Sequence, residues 1–182
     1  MPEPPTTPLA ALAPWAAAEG QIHVVIETPK GNRNKYMFWP DKDMFMLSGV
    51  LPVGAVFPFD FGFIPGTLGA DGDPLDVLLL LEEPAFAGCV VETRLLGVIE
   101  ADQTEDGATT RNDRLIGVAA VSRDHRHIAA LEDLNENLVS EIEHFFASYN
   151  TIKGKQFTVQ GRGGPERARA LVEEGIAKAK GK

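Results

Sequence analysis

Apolar residues fall into short runs over most of the chain, each ended by Gly, Pro, Asn or Asp. "HVVIETP" (His23 to Pro29) is β-branched and stops at a proline, as a strand does. After the turn "GNRN", "KYMFWP" and "MFMLSGVLP" read as two strands, with "DKD" as the turn between them. "VFPFDFGFIPGTLG" (Val56 to Gly69) alternates rings with small residues and reads as an irregular extended segment that packs its rings into the core. "VLLLLEE" has strand length. "GCVVETRLLGVIEA" predicts one long strand or a bent pair, "DQTEDGATTRND" a polar loop, and "RLIGVAAV" a further strand.

The period then changes. Leu131, Leu134, Leu138, Ile142, Phe145 and Tyr149 recur every three or four residues, which predicts an amphipathic helix. "FTVQGRG" is a short strand. "GPERARALVEEGIAKAK" is a second helix, with Pro165 near its start, acids early and lysines late. Strands come first and helices late, without alternation, which argues against a doubly wound parallel sheet. The pattern predicts an α+β fold: a small closed antiparallel β-barrel with two C-terminal helices packed on it. No internal repeat is visible.

Composition narrows the choice. With 182 residues and 44% hydrophobic content, the chain suits one domain with a real core. The first twenty residues are rich in Ala and Pro and read as a loose arm, with a single domain over residues 21–182. No Lys or Arg occurs in that arm and no apolar run reaches membrane-spanning length, so the expected location is cytoplasmic. The net charge of −9 argues against nonspecific binding to nucleic acid or to an anionic membrane. The single cysteine, Cys89, reads as a free thiol acting as a small hydrophobe.

The candidate chemistry lies in "DGDPLD", residues 71–76. Pro74 holds Asp73 extended, so Asp71 and Asp73 point the same way, about 7 Å apart. Asp76 then opens the apolar strand. Three carboxylates facing one cavity suit a hard cation with oxygen ligands. A calcium-binding EF-hand loop does not fit: Asp76 stands where its glycine belongs, and Leu75, Val77 and Leu79 occupy ligand positions. A solvated turn is the plain structural alternative. His125 and His127 read as surface residues.

"DGDPLDV" resembles the Asp-x-Asp-Pro-x-Asp signature of the family I soluble inorganic pyrophosphatases. The likeness extends to "VVIETPKGNRNKY", to "FPFDFGFIPGTLGADGDPLDVLLL" and to "HFFASYNTIKGK", and so covers roughly His23 to the C-terminus. It implies an OB-like barrel with a five-stranded core. It also implies Mg²⁺-dependent hydrolysis of pyrophosphate to two phosphates, with Mn²⁺ as a substitute cation and a homo-oligomeric assembly. By similarity, Asp71 and Asp76 hold metal, Asp73 takes the proton of the attacking water, and Glu27 supports a further metal. Lys35 and Tyr149 meet phosphate. The acidic loop matches the family's Asp…Asp-x-Lys pattern loosely, which implies Asp102 and Asp113 as metal ligands and Arg114 as a substrate contact. Met37, Gly49, Phe61, Asn112 and Asn150 stand where the family has Glu, Arg, Tyr, Asp and Lys. Lys153, Lys155 and Arg162 are the candidate replacement cations. The alternative is a catalytically weakened protein of this fold that binds a phosphorylated ligand or a protein partner.

Overall fold

The computed structural model describes residues 9–181. Its strands follow one another round a circuit. β1 (Gln21–Thr28) pairs with β4 (Asp60–Phe63), and β4 with β5 (Asp76–Leu80). β5 pairs with β8 (Arg114–Ala119), β8 with β6 (Val90–Glu105), and β6 with β1 again. β7 (Ala108–Arg111) and β9 (Gln156–Gly163) extend the sheet from β6. β2 (Asn34–Trp39) and β3 (Met44–Val50) form a separate hairpin. The fold is sheet-dominated, with two helices late in the chain.

One pairing departs from the antiparallel expectation. β5 and β8 run parallel, with Val77 opposite Leu115. Parallel neighbours need a long crossover, and here the intervening chain makes β6 and β7 before returning. This pairing sets Asp76 and Arg114 beside each other at the starts of their strands.

β5 is apolar throughout because both of its faces are covered. Leu78 and Leu80 pack with Phe61, Ile116 and Phe146, under α1 (Glu136–Ile152). Val77 and Leu79 pack with Ile26, Leu115, Ala168 and Val172, under α2 (Pro165–Lys180). α1 starts at Asn135, whose side chain accepts a hydrogen bond from Asn137 N at 2.9 Å and satisfies an orphan donor of the first turn. The expected long helix from Leu131 begins later, because Leu131–Asp133 form a separate 3-10 turn.

The polar loop expected over residues 102–113 is largely strand. β6 runs on to Glu105, and Asp106 and Gly107 turn the chain with φ of 50° and 79°. A two-residue Asp-Gly turn with positive φ at both positions suits a tight hairpin, and β7 follows at once.

The first eight residues of the arm expected over 1–20 lie outside the described region. From Leu9 onward the segment is held against the body. Trp15 bridges to Ile22, His23 N donates to the Pro14 carbonyl at 2.9 Å, and the His23 ring Nδ1 donates to the Ala13 carbonyl at 2.7 Å. Among the described residues, no helix is long and apolar enough to cross a membrane.

Candidate active site

A cleft of about 820 Å³ opens between the hairpin β2–β3, the "DGDPLD" segment, the β6–β7 hairpin and the end of α1. Asp71, Asp73 and Asp76 line it, as do Glu27, Lys35, Arg114 and Tyr149. Seven of the residues singled out in the sequence are thus gathered from five separate stretches of chain.

The motif is shaped locally. Gly72 has φ of 92°, a conformation costly for any residue with a Cβ, and it reverses the chain between the two aspartates. Asp71 accepts a hydrogen bond from Asp73 N at 3.1 Å, and Gly69 N donates to the Asp73 carbonyl at 2.7 Å. Burial pushes the Asp71 carboxyl above its ordinary range. Burial also pushes Asp76 up to about 6, against the pull of Arg114 and Lys35. Both carboxylates therefore favour a compensating cation. Among the described residues, no three His, Cys, Asp or Glu side chains converge tightly enough to cage a metal. The all-oxygen, partly open donor set suits a cation that takes one or two carboxylates and completes its shell with water and phosphate oxygens, as Mg²⁺ does.

Glu27 comes from β1 and faces the hairpin. One of its oxygens accepts from Phe38 N at 2.7 Å and the other from Lys35 Nζ at 3.2 Å. Lys35 Nζ also sits 4.5 Å from the Phe61 ring centroid. Arg114 is 5% exposed. Its Nη1 donates to Asp76 at 2.5 Å and to the Asn112 side-chain oxygen, and its guanidinium lies 5.2 Å from the Phe146 ring and 5.6 Å from the Phe157 ring. The Tyr149 hydroxyl is buried without a hydrogen-bond partner, and burial raises its pKa. A buried orphan hydroxyl at a cleft wall is a donor waiting for a ligand oxygen.

Lys153 and Lys155 line the cleft as well, and burial lowers the pKa of Lys153. Arg162 does not. It is tied to Glu143 at 2.6 Å and Glu136 at 2.8 Å on the outside of α1.

Residues 24–180 match the family model described as inorganic pyrophosphatase. The chain belongs to the inorganic pyrophosphatase family. It is 39% identical over 163 residues to the inorganic pyrophosphatase of Thermus thermophilus, covering 88% of this chain and 91% of that one. It is 41% identical over 155 residues to that of Leifsonia xyli, covering 85% and 93%. The solved structure of the Thermus thermophilus enzyme superposes with a TM-score of 0.87 at 37% identity, over 96% of this chain and 99% of that one. Mixed, sheet-dominated architecture with two helices is thus shared with solved family members.

Two acids expected at the site, Asp102 and Asp113, do not line the larger cleft. Asp102 lies on the face of β6 opposite Gln103 and Glu105, which line the cleft. Its nearest cation is Arg111, at 3.9 Å. Asp113 accepts from Ala101 N at 2.9 Å and pairs with Arg111 at 2.6 Å, in a smaller adjoining cavity of about 160 Å³ that Asp71 and Asp76 also line. The cleft receives amides instead. Asn112 donates to the Gln103 side-chain oxygen at 3.1 Å, and both residues line the wall. Gln103 was not singled out in the sequence. Strand alternation from the buried Ala101 would have put it on the cleft face, had β6 been extended through residue 105. Cys89 is half-buried, and burial pushes its thiol up, as suits an inert side chain.

Proposed function

We infer that this chain hydrolyses inorganic pyrophosphate to two phosphates. The observation that carries the reading is one cleft, in a chain of this family, that opposes the motif aspartates with Lys35, Arg114, Lys153 and Lys155. A polyanion carrying bound cations needs both signs of charge within reach.

A divalent cation, Mg²⁺ or Mn²⁺ in its place, lowers the pKa of a bound water and offsets charge on the phosphate oxygens when present. Asp71 and Asp76 are the residues to hold it. Asp73 lies exposed on the same wall and takes the proton as the water oxygen attacks phosphorus and the bridging P–O bond breaks. Lys35, held by Glu27, and the Tyr149 hydroxyl bind the non-bridging oxygens. Arg114 stabilises charge gathering on the departing phosphate. Asp102 and Asp113 support the cleft through Arg111. The circuit of strand pairings supports a five-stranded closed barrel of OB-like form beneath the site. The exposed Met37, Trp39, Met44 and Met46 of the β2–β3 hairpin support a homo-oligomer. Cytoplasmic pyrophosphate is the fitting substrate pool for an acidic chain of this kind.

Phosphate release from pyrophosphate, measured with Mg²⁺, with Mn²⁺ and with chelator, tests the reading. Asp73→Asn lowers turnover by about 10²- to 10⁴-fold, the usual contribution of a positioned base. Absence of release at every cation concentration overturns the enzyme. It would leave the second reading, binding of a phosphorylated ligand without turnover, which the neutral Asn112 and Gln103 and the missing charges at Met37 and Gly49 favour.

A further inference from the structure

α1 ends beside the cleft, and its last turn is closed by the backbone. The Asn150 carbonyl accepts from Lys153 N and from Lys155 N, each at 2.9 Å. Gly154 follows in the left-handed region with φ of 74°, a common way to stop a helix. The backbone at Lys153 is therefore fixed. Tyr149 and Lys153 lie four residues apart, so they share one side of the helix end, and both line the cleft. Lys153 Nζ sits 4.5 Å from the Tyr149 ring centroid, where the ring face seats the ammonium. An ammonium carries three N–H donors, and a ring face does not use them all. Among the described residues Lys153 forms no ion pair, whereas Lys155, the other cation of this turn, pairs with Glu105 at 2.9 Å. Desolvation lowers the Lys153 pKa, with Lys155 and Arg114 acting the same way and Asp76 and Glu105 opposing them. The residue is exposed, so that shielding is partial and a ligand reaches it from solvent. Asn150 differs. It is 2% exposed and donates to the Phe146 carbonyl at 2.8 Å, so a charge at that position would be taken out of water.

We infer that Lys153 is the cation that, together with the Tyr149 hydroxyl, holds one phosphate group of the substrate and of the product. This rests on the hydrolytic reading above and adds a residue to it. In this chain the positive charge of the helix end stands one turn beyond Tyr149, while the position directly after the tyrosine is neutral and buried. Both donors meet non-bridging oxygens, which carry charge before and after the reaction, so the contact strengthens binding more than it speeds the chemical step. The plain alternative is that Lys153 only offsets the negative end of the α1 dipole. Lys180 has that role by position, in the last turn of α2 and outside the cleft, and serves as the reference.

The test joins two measurements on the full chain with Mg²⁺ present: steady-state hydrolysis of pyrophosphate, and binding of inorganic phosphate followed by phosphorus NMR. Lys153→Gln raises KM for pyrophosphate and Kd for phosphate about tenfold, the low end for a hydrogen bond from a charged donor, and lowers kcat by less than about threefold. Lys153→Arg keeps the charge and stays within about threefold of the unaltered protein in both constants. Lys180→Gln removes the same charge from the other helix end and changes either constant by less than about twofold. A folded Lys153→Gln protein with either constant unchanged overturns the inference. Equal weakening in Lys180→Gln overturns it too, since net charge would then account for the effect, as does an unaltered protein that binds no phosphate. Weaker phosphate binding by Lys153→Gln, in a chain that hydrolyses no pyrophosphate at any cation concentration, overturns the hydrolytic reading and leaves Lys153 as the phosphate-holding cation.

Discussion

Glu27→Gln isolates one interaction at the cleft. Glu27 and Lys35 are 12% and 13% exposed at the side chain, so solvent screens their 3.2 Å pair only weakly. Glutamine keeps an acceptor for Phe38 N, so the loss falls on the lysine. A hydrogen bond to a charged group contributes about 1.5–3 kcal/mol net, and removing one partner leaves the ammonium without its counter-ion. The expected destabilisation is about 2 kcal/mol, or roughly 4–8 °C in Tm for a chain of this length. Thermal unfolding by circular dichroism in chelator measures it. A double-mutant cycle with Lys35→Met then isolates the pair, with an expected coupling of about 1.5–3 kcal/mol. In the cation-supplemented enzyme, Lys35 is no longer held, and KM for pyrophosphate rises more than kcat falls. Additivity within about 0.5 kcal/mol would show that the two side chains do not stabilise each other, and the account of Glu27 as the anchor of Lys35 would be wrong.

Restoring the missing charges together, Met37→Glu with Gly49→Arg, raises turnover. Gly49 faces Lys35 across the hairpin and a Cβ there meets nothing within 4 Å, so a slower double mutant in the phosphate-release assay would mean that other residues have rebuilt the clamp. Gly62→Ala is expected to cost at least about 3 kcal/mol in denaturant unfolding, because overpacking against backbone cannot relax by a rotamer change. The added Cβ would lie 2.1 Å from the Val25 carbonyl oxygen, and unchanged stability would contradict the β1–β4 register. Glu82 accepts from Asp124 N at 2.7 Å, Arg123 N at 2.6 Å and the Ser122 hydroxyl at 2.8 Å, and these bonds lower its pKa from 4.5 to about 2. A depressed folded pKa contributes stability that is present above 4.5 and is lost as pH falls toward 2, so Glu82→Gln lowers Tm at neutral pH and its deficit closes across that window. A deficit independent of pH would assign the effect to something other than the carboxylate.

The local readings held where spacing alone carries the information. The proline-terminated strand at His23, the apolar run after Asp76 and the three-and-four spacing of α1 follow from rules that act within a few residues. The "DGDPLD" segment marked an acidic wall of the cleft for the same reason, since its three carboxylates lie within six residues of one another. Asp-Gly at 106–107 was legible too, and would have converted the expected loop into a hairpin. Only the tertiary structure decided which strands meet. Partner choice is set by burial across the whole sheet, so nothing near Asp76 in sequence announces that β8 runs parallel to it. Facing was decided the same way: a slip of one residue turns every side chain of a strand over. Whether Asp102 or Gln103 meets the cleft therefore depended on how far β6 continues, and whether Asp113 or Asn112 does depended on the register that followed. The pairing of Arg114 with Asp76 joins residues 38 apart, and only the packed sheet brings them within a hydrogen bond.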